Sequence, residues 1–507
     1  MEYHLTKKTI SRLRYAADTV TEQAVDVDLS LPDYCPDIEK ILSCTLIPEV
    51  NMTNVSGDRL NIEGSSCVRV VYLDSDRTIR VYEYRAPFSE SLPRKGESPD
   101  CVVYVDAKPE YLNCRALSPR KLSLHGAFSL GVRIAVKDEL AYYAYEDGDE
   151  LQTKSDILTV STLCGLSSES FSVQEDISVS GKSDIHTVIS HRLSARITDM
   201  KAIQNKIMLN AELKLDLMYL SGIEDPALEC MSYSLPISRV VDCEGVDENA
   251  VIDGELSVMS SEVHLSDDAL DGSSVLSLDA RLCFNTLCYA GCEIEVLSDV
   301  FSTEKEAQVQ TEPFSCNSDI LCRSFTDTEK ATIGLDEEIG KILDVHCEKL
   351  TAAYTADDDG VMINTKMTVG VYYENQENET RYVERDAEFG FRPDTEGHTE
   401  ILRLRAAADS LSYRLKDNRQ LELRAEMCYR VTMCKRLSCA AVTGVSADDD
   451  APEKKHDGTL ILYYADDGDR VWDIAKRFCS RPADIIAENE LEGETIGAGM
   501  MLMIPTA

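Results

Sequence analysis

A chain of 507 residues is too long for one hydrophobic core and should divide into about three or four domains. Its 91 acidic and 51 basic residues leave a formal net charge of −40, a field that repels nucleic acid and anionic membrane surfaces and favours basic partners. With 43% hydrophobic residues it is also too apolar for a disordered chain.

From Met1 to Arg14 the chain scatters Lys and Arg, but no apolar stretch of signal-peptide length follows. No run approaches the roughly 18 apolar residues of a membrane span, so a cytoplasmic protein without membrane insertion is expected. Laid against itself, the chain then shows three copies of one pattern, expected over 1–150, 151–305 and 306–445. Each opens on an acidic residue followed by apolar residues at relative positions one, four and five: Asp37 with Ile38, Ile41 and Leu42; Asp184 with Ile185, Val188 and Ile189; Glu338 with Ile339, Ile342 and Leu343. That spacing predicts a short amphipathic helical turn, which Pro36 would start in the first copy.

Twenty-three residues after each acidic residue a period-two segment begins. It reads Leu60, Ile62, Val68, Val70, Tyr72 in the first copy and Ile207, Leu209, Ala211, Leu213, Leu215, Leu217, Tyr219 in the second. The third reads Val361, Ile363, Met367, Val369, Val371, Tyr373. Such alternation predicts half-buried strands. A second alternating strand closes each copy: Leu122 and Leu124 with Ala127, Leu276 and Leu278 with Ala280, Leu421 and Leu423 with Ala425. The fold class is therefore mainly β, with three tandem antiparallel, sandwich-like repeats that each carry one short helix.

A polar stretch over 446–457 reads as a linker, and 458–507 as a small module of strand, helix, helix and strand. An apolar run from Leu460 to Tyr464 leads into Asp466-Asp467-Gly468-Asp469-Arg470, where Gly468 suits a positive φ and Asp469 suits a helix cap. Trp472, Ala475 and Phe478 or Cys479 form a helical stripe that assigns Trp472 first to packing. Pro482 and Asp484 start a second helix that carries Ile485, Ile486 and Asn489. Gly497 and Gly499 precede a return strand ending in Leu502-Met503-Ile504-Pro505.

Chemistry is sparse by comparison. The eight histidines fit no zinc spacing, His186 and His191 being the nearest to a pair. Ser118-Pro119-Arg120-Lys121 matches Ser-x-x-Lys by letter only, because Pro119 sits where the first helical turn should be. Asp357-Asp358-Asp359 and Asp448-Asp449-Asp450 lack calcium-loop spacing and read as solvated turns. The 18 cysteines show no framework and read as reduced thiols that pack as small hydrophobes. No enzyme activity, cofactor or metal is expected; a binding or assembly role is.

Two resemblances add to this reading. The module, through Gly468, Asp469, Trp472, Ile474, Ala475, Asn489, Leu502, Ile504 and Pro505, resembles the LysM domain. The stretch from Asp28 to Leu42, with three repeats and one C-terminal module in that order, resembles the SipL family of spore-coat morphogenetic proteins, whose repeats are called SPOCS domains. The resemblance implies a mother-cell scaffold at the forespore surface whose LysM binds the coat's basement-layer ATPase, stage IV sporulation protein A. The alternative is binding of peptidoglycan or other N-acetylglucosamine polymers in a groove between the turn at 467–470 and the loop at 493–496. Candidate binding residues are Asp466, Asp467, Gly468, Asp469, Arg470, Trp472, Asn489 and Gly493. Arg470 stands where LysM domains usually carry Ser or Thr, and that charge suits a protein partner better than a neutral sugar.

Overall fold

Alternation of apolar and polar residues runs through most of the chain and yields long strands. The computed structural model describes residues 2–94, 100–146, 151–178, 185–222, 227–267, 274–357, 360–398, 400–447, 460–497 and 499–505. Its first unit contains β1 (Thr6–Ser30), β2 (Lys40–Ser56), β3 (Arg59–Leu73), β4 (Ile79–Pro93), β5 (Cys101–Ser118) and β6 (Lys121–Ala144). The second contains β7 (Leu151–Ser178), β8 (Ile185–Ile203), β9 (Lys206–Ser221), β10 (Ala227–Asp242), β11 (Val251–Asp267) and β12 (Ser274–Ser302). The third contains β13 (Ala307–Gly334), β14 (Ile339–Asp357), β15 (Gly360–Asn375), β16 (Thr380–Phe391), β17 (Glu400–Asp417) and β18 (Gln420–Ala447). Residues 448–459, where most of the expected linker falls, lie outside the described residues.

Strand order is the same in all three units. Strands two, three and four form a meander; strands one, six and five form a second antiparallel sheet with the sixth in the centre. The apolar faces of the two sheets close on each other. In the first unit Leu60, Ile62, Val68, Val70 and Tyr72 of β3 share one core with Leu122, Leu124, Phe128 and Leu130 of β6. In the third, Ile363 to Tyr373 of β15 do the same with Leu421, Leu423 and Ala425 of β18.

Residues aligned by spacing fall at matching positions. Tyr72, Tyr219 and Tyr373 stand opposite Ile41, Val188 and Ile342, while Leu122, Leu276 and Leu421 stand opposite Leu29, Ile177 and Ile333. One position needs moving by a residue. Ala280 and Ala425 correspond to Gly126, whereas Ala127 points to the other face of β6. A Cβ at Gly126 would lie 2.7 Å from the Tyr111 carbonyl oxygen, so this site accepts glycine alone without a shift.

Among the described residues the expected helical turns are absent and strands stand in their place; Asp184, which opens the second, lies outside the described residues. Lys40, Ile185 and Ile339 begin β2, β8 and β14. Each of these strands breaks register near its start: between Ile41 and Ser43; between Ile185 and Thr187 and again between Val188 and Ser190; between Ile339 and Lys341 and again between Ile342 and Asp344. A bulge inserts one residue, so inward positions fall three apart where a regular strand would have two. That counterfeits helical spacing. Pro36 starts no helix; its carbonyl accepts a hydrogen bond from the Tyr72 hydroxyl at 3.1 Å.

The three units pack around a common line. Ala135, Tyr289 and Cys434, each thirteen residues beyond its leucine, belong to a single cluster. Val71, Met218 and Tyr372, outward neighbours of the three core tyrosines, belong to another. Equivalent positions meeting in this way is what an approximate threefold arrangement requires. It also explains why β12 is buried without interruption from Leu282 to Tyr289: one face serves its own sandwich and the other its neighbours. The Tyr3 amide donates to the Val445 carbonyl at 3.0 Å and Glu2 bridges Ser446, which ties the first unit to the third.

Charge specifies this packing as well. Across from matching residues of the central strands, β5, β11 and β17 carry Tyr104 and Asp106, Asp253 and Glu255, and Arg403 and Arg405. Arg403 stacks over the Tyr104 ring at 4.0 Å and donates to its hydroxyl at 2.6 Å. Arg405 reaches Asp253 at 2.9 Å and Glu255 at 2.8 Å. Asp253 is fully buried; burial opposes its ionisation, yet Arg405 and Arg403 hold its carboxyl below the usual range. One unit supplies acids, another bases and the third an aromatic acceptor, so the three are not interchangeable at this seam.

Candidate functional site

The C-terminal module is built from β19 (Leu460–Tyr464), α1 (Val471–Phe478), α2 (Pro482–Glu488) and β20 (Met501–Pro505), with β19 and β20 antiparallel. Its core gathers Val471, Trp472, Ile474, Ala475, Ile485, Ile496, Leu502 and Ile504. Pro482 occupies the first turn of α2 with Asp484 beside it. Phe478 packs at the edge of this core, and Cys479 ends α1 in the left-handed conformation.

Around the turn, Gly468 takes a φ of +90°. Asp469 does not cap α1. Arg470 holds the capping position without a side-chain bond, while the Asp469 carboxylate accepts from the Tyr463 hydroxyl and the Asp466 amide, both at 2.8 Å. Asp469 therefore closes the turn it belongs to, the short-range role in which Asp competes with capping. Asp466, Asp467 and Arg470 are exposed, as is Gly493. The two walls of the expected groove meet at their base: Arg470 bridges Thr495, and the Val471 amide donates to the Glu494 carbonyl at 3.1 Å.

Asn489 faces inward. Its amide nitrogen donates to the Ile485 and Met503 carbonyls at 2.8 and 2.6 Å, and its oxygen accepts from the Met503 amide at 2.7 Å. The side chain thus pins the end of α2 to β20. Trp472 is 5% exposed, but part of its cover comes from outside the module. Its indole N–H donates to Asp299 of β12 at 2.9 Å, and its ring meets Phe301 edge-on with centroids 5.0 Å apart. Lys476 reaches the same Asp299 at 2.6 and 2.8 Å. Burial opposes ionisation of Asp299, but these donors outweigh it and lower its pKa. Sequence reading missed Asp299 and Phe301, since only the helical spacing of Trp472 and Lys476 hints at a shared partner.

A second polar region went unread in the sequence. Where β2, β8 and β14 converge, the three units line a half-open cavity of about 800 Å³. At matching positions it presents Ser43, Ser190 and Asp344. Ser43 bonds the Tyr372 hydroxyl, and Arg192 meets Asp344 at 3.1 Å. His346 sits between Asp344 at 2.7 Å and Glu348 at 2.8 Å; burial pushes its pKa down, but the two carboxylates prevail and raise it. His191 behaves oppositely: burial, aided by Arg69, pushes it down to about 4. The Arg192–Asp344 pair and the Ser43–Tyr372 bond cross unit boundaries, which makes the region a seam between units. Among the described residues no group of His, Cys, Asp and Glu could hold a metal ion, and no helix is long and apolar enough to cross a membrane.

Residues 37–117 and 184–266 match the family model described as SipL, SPOCS domain. Both stretches are similar to the SPOCS domain. The SPOCS domain is a sporulation-related domain. The matched stretches span β2 to β5 and β8 to β11, the same four strands in each unit. β14 to β17 repeat that order in the third unit, outside the matched residues. No curated protein and no solved structure matches the chain.

Proposed function

We propose that this protein is a non-enzymatic scaffold for assembly of the spore coat, acting in the mother-cell cytoplasm at the forespore surface. Its three SPOCS-like units form the body, and its C-terminal module, read as a LysM domain, binds the basement-layer ATPase, stage IV sporulation protein A. The observation that carries this reading is the SPOCS match over equivalent strands of two units within a three-unit body whose buried charges pair with each other. The net charge of −40 supports a partner with basic groups. The strand–helix–helix–strand order of the module favours a second reading, binding of peptidoglycan. Immobilised full-length chain should retain purified basement-layer ATPase and leave insoluble peptidoglycan in the supernatant. Retention of peptidoglycan with no retention of the ATPase would replace the scaffold reading with the glycan one.

A further inference from the structure

Two-stranded sheets in small modules have one face in the core and one to dispose of. Here the inner face is Ile461, Tyr463, Leu502 and Ile504. The outer face is also apolar. Leu462 is 57% exposed, Tyr464 66% and Met501 49%, and Met503 beside them is half-buried. Cross-strand pairing sets Tyr464 opposite Met501 and Leu462 opposite Met503, so these side chains form one surface. Four adjoining apolar residues on so small a module differ from scattered exposed leucines, which need no explanation. Bonds between Ala465 and both Met500 and Gly499 carry the patch directly into the turn with exposed Asp466 and Asp467.

The acidic border restricts what can cover the patch. A second copy would bring the same aspartates and a net charge of −40 against them, and an anionic lipid surface would be repelled likewise. A partner with apolar anchors and basic residues along their border gains on both counts. Methionine and tyrosine are side chains suited to such a face, one adaptable and the other large with few rotors.

We propose that the outer face of the β19–β20 sheet, Leu462, Tyr464, Met501 and Met503 with Asp466 and Asp467 at its edge, docks an amphipathic basic segment of a partner protein. This rests on the protein-binding reading of the module and moves the contact from the turn and the loop at 493–496 to the sheet face. The full chain is titrated into a fluorescent peptide of about 15 residues with Leu on one helical face and Lys along its borders, and into a twin with Glu for Lys. The Lys peptide should bind, the Glu twin should not, and Tyr464→Ser with Met501→Ser should lose at least about tenfold in affinity, the scale of removed anchor residues, with an unchanged melting curve. Equal affinity in the double variant, or equal binding of the Glu twin, would overturn the proposal. So would wild-type self-association, or binding to phosphatidylglycerol vesicles, that the double variant abolishes. If the double variant retains the basement-layer ATPase as well as wild type does, the face is wrong and the scaffold reading stands. If wild type retains only peptidoglycan, the scaffold reading falls whatever the peptide does.

Discussion

The three-unit body and the C-terminal module are held by opposite means. Inside the body, the central strands are buried on both faces over part of their length, as β12 is from Leu282 to Tyr289, and a five-residue polar seam of Tyr104, Asp253, Glu255, Arg403 and Arg405 joins all three units. The module meets the body through α1, where Trp472 and Lys476 converge on the single carboxylate of Asp299 beside Phe301. A seam of buried, mutually paired charges is costly to open by halves, because each lost partner leaves another charge uncompensated. One partly exposed carboxylate is cheap to release. The difference teaches that opening the body leaves several paired charges without partners, whereas separating the module breaks the bonds of one carboxylate and the Trp472–Phe301 packing.

The largest effect should come from the seam. Asp253→Ala removes a fully buried partner of two arginines and should cost about 3–5 kcal/mol, seen as a lower melting temperature for the body as a whole. If only the second unit were destabilised in hydrogen exchange, the units would not be acting as one piece. Trp472→Ala should cost the module about 3–5 kcal/mol, as for other large aromatic deletions. Exchange protection should vanish in 460–505 and persist in the body. A variant that keeps its protection but loses the partner would move Trp472 from core to interface.

Asp299→Asn should be milder, about 1.5–3 kcal/mol for hydrogen bonds to a charged group, and should loosen docking with both parts folded. Trp472 is the only tryptophan, so its emission reports this directly and should shift to the red. Acid should do the same to wild type. Because the Asp299 pKa is lowered in the folded protein, its contribution is present above the unfolded value of roughly 4 and is lost as pH falls through the lowered one. Unchanged emission down to pH ~3 would mean that Phe301 packing alone holds the module. The smallest effect is expected from Asp466→Asn with Asp467→Asn. These exposed charges should alter partner association rate at low ionic strength and leave stability untouched.

How much of this was legible depended on whether a signal repeats. Tyr72, Tyr219 and Tyr373 recur in alternating segments three times over, so strands and core faces could be read from spacing. The bulged starts of β2, β8 and β14 could not, because an inserted residue turns period two into a run that resembles a helix. Asp469 was misread for a related reason: one side chain had two local roles open to it, and the Tyr463 hydroxyl, on the neighbouring strand, decided between them. Contacts between units, such as Arg403 with Tyr104 or Arg192 with Asp344, join residues 299 and 152 positions apart and leave no periodic trace. Of the candidate site, Gly468 and the Trp472 stripe were readable, but the Asp299 anchor and the outer sheet face required the fold.

The pairing of Glu2 with Ser446 carries a consequence for synthesis. The two residues lie 444 positions apart, so the N-terminal residues cannot make this bridge until nearly all of β18 has left the ribosome. Each sandwich closes on its own local pairs early, while the shared surfaces of the first two stay wet until the third arrives. During that interval a nascent chain would expose faces that fit another molecule's units, so slower translation is expected to raise the share of chains joined by exchanged units.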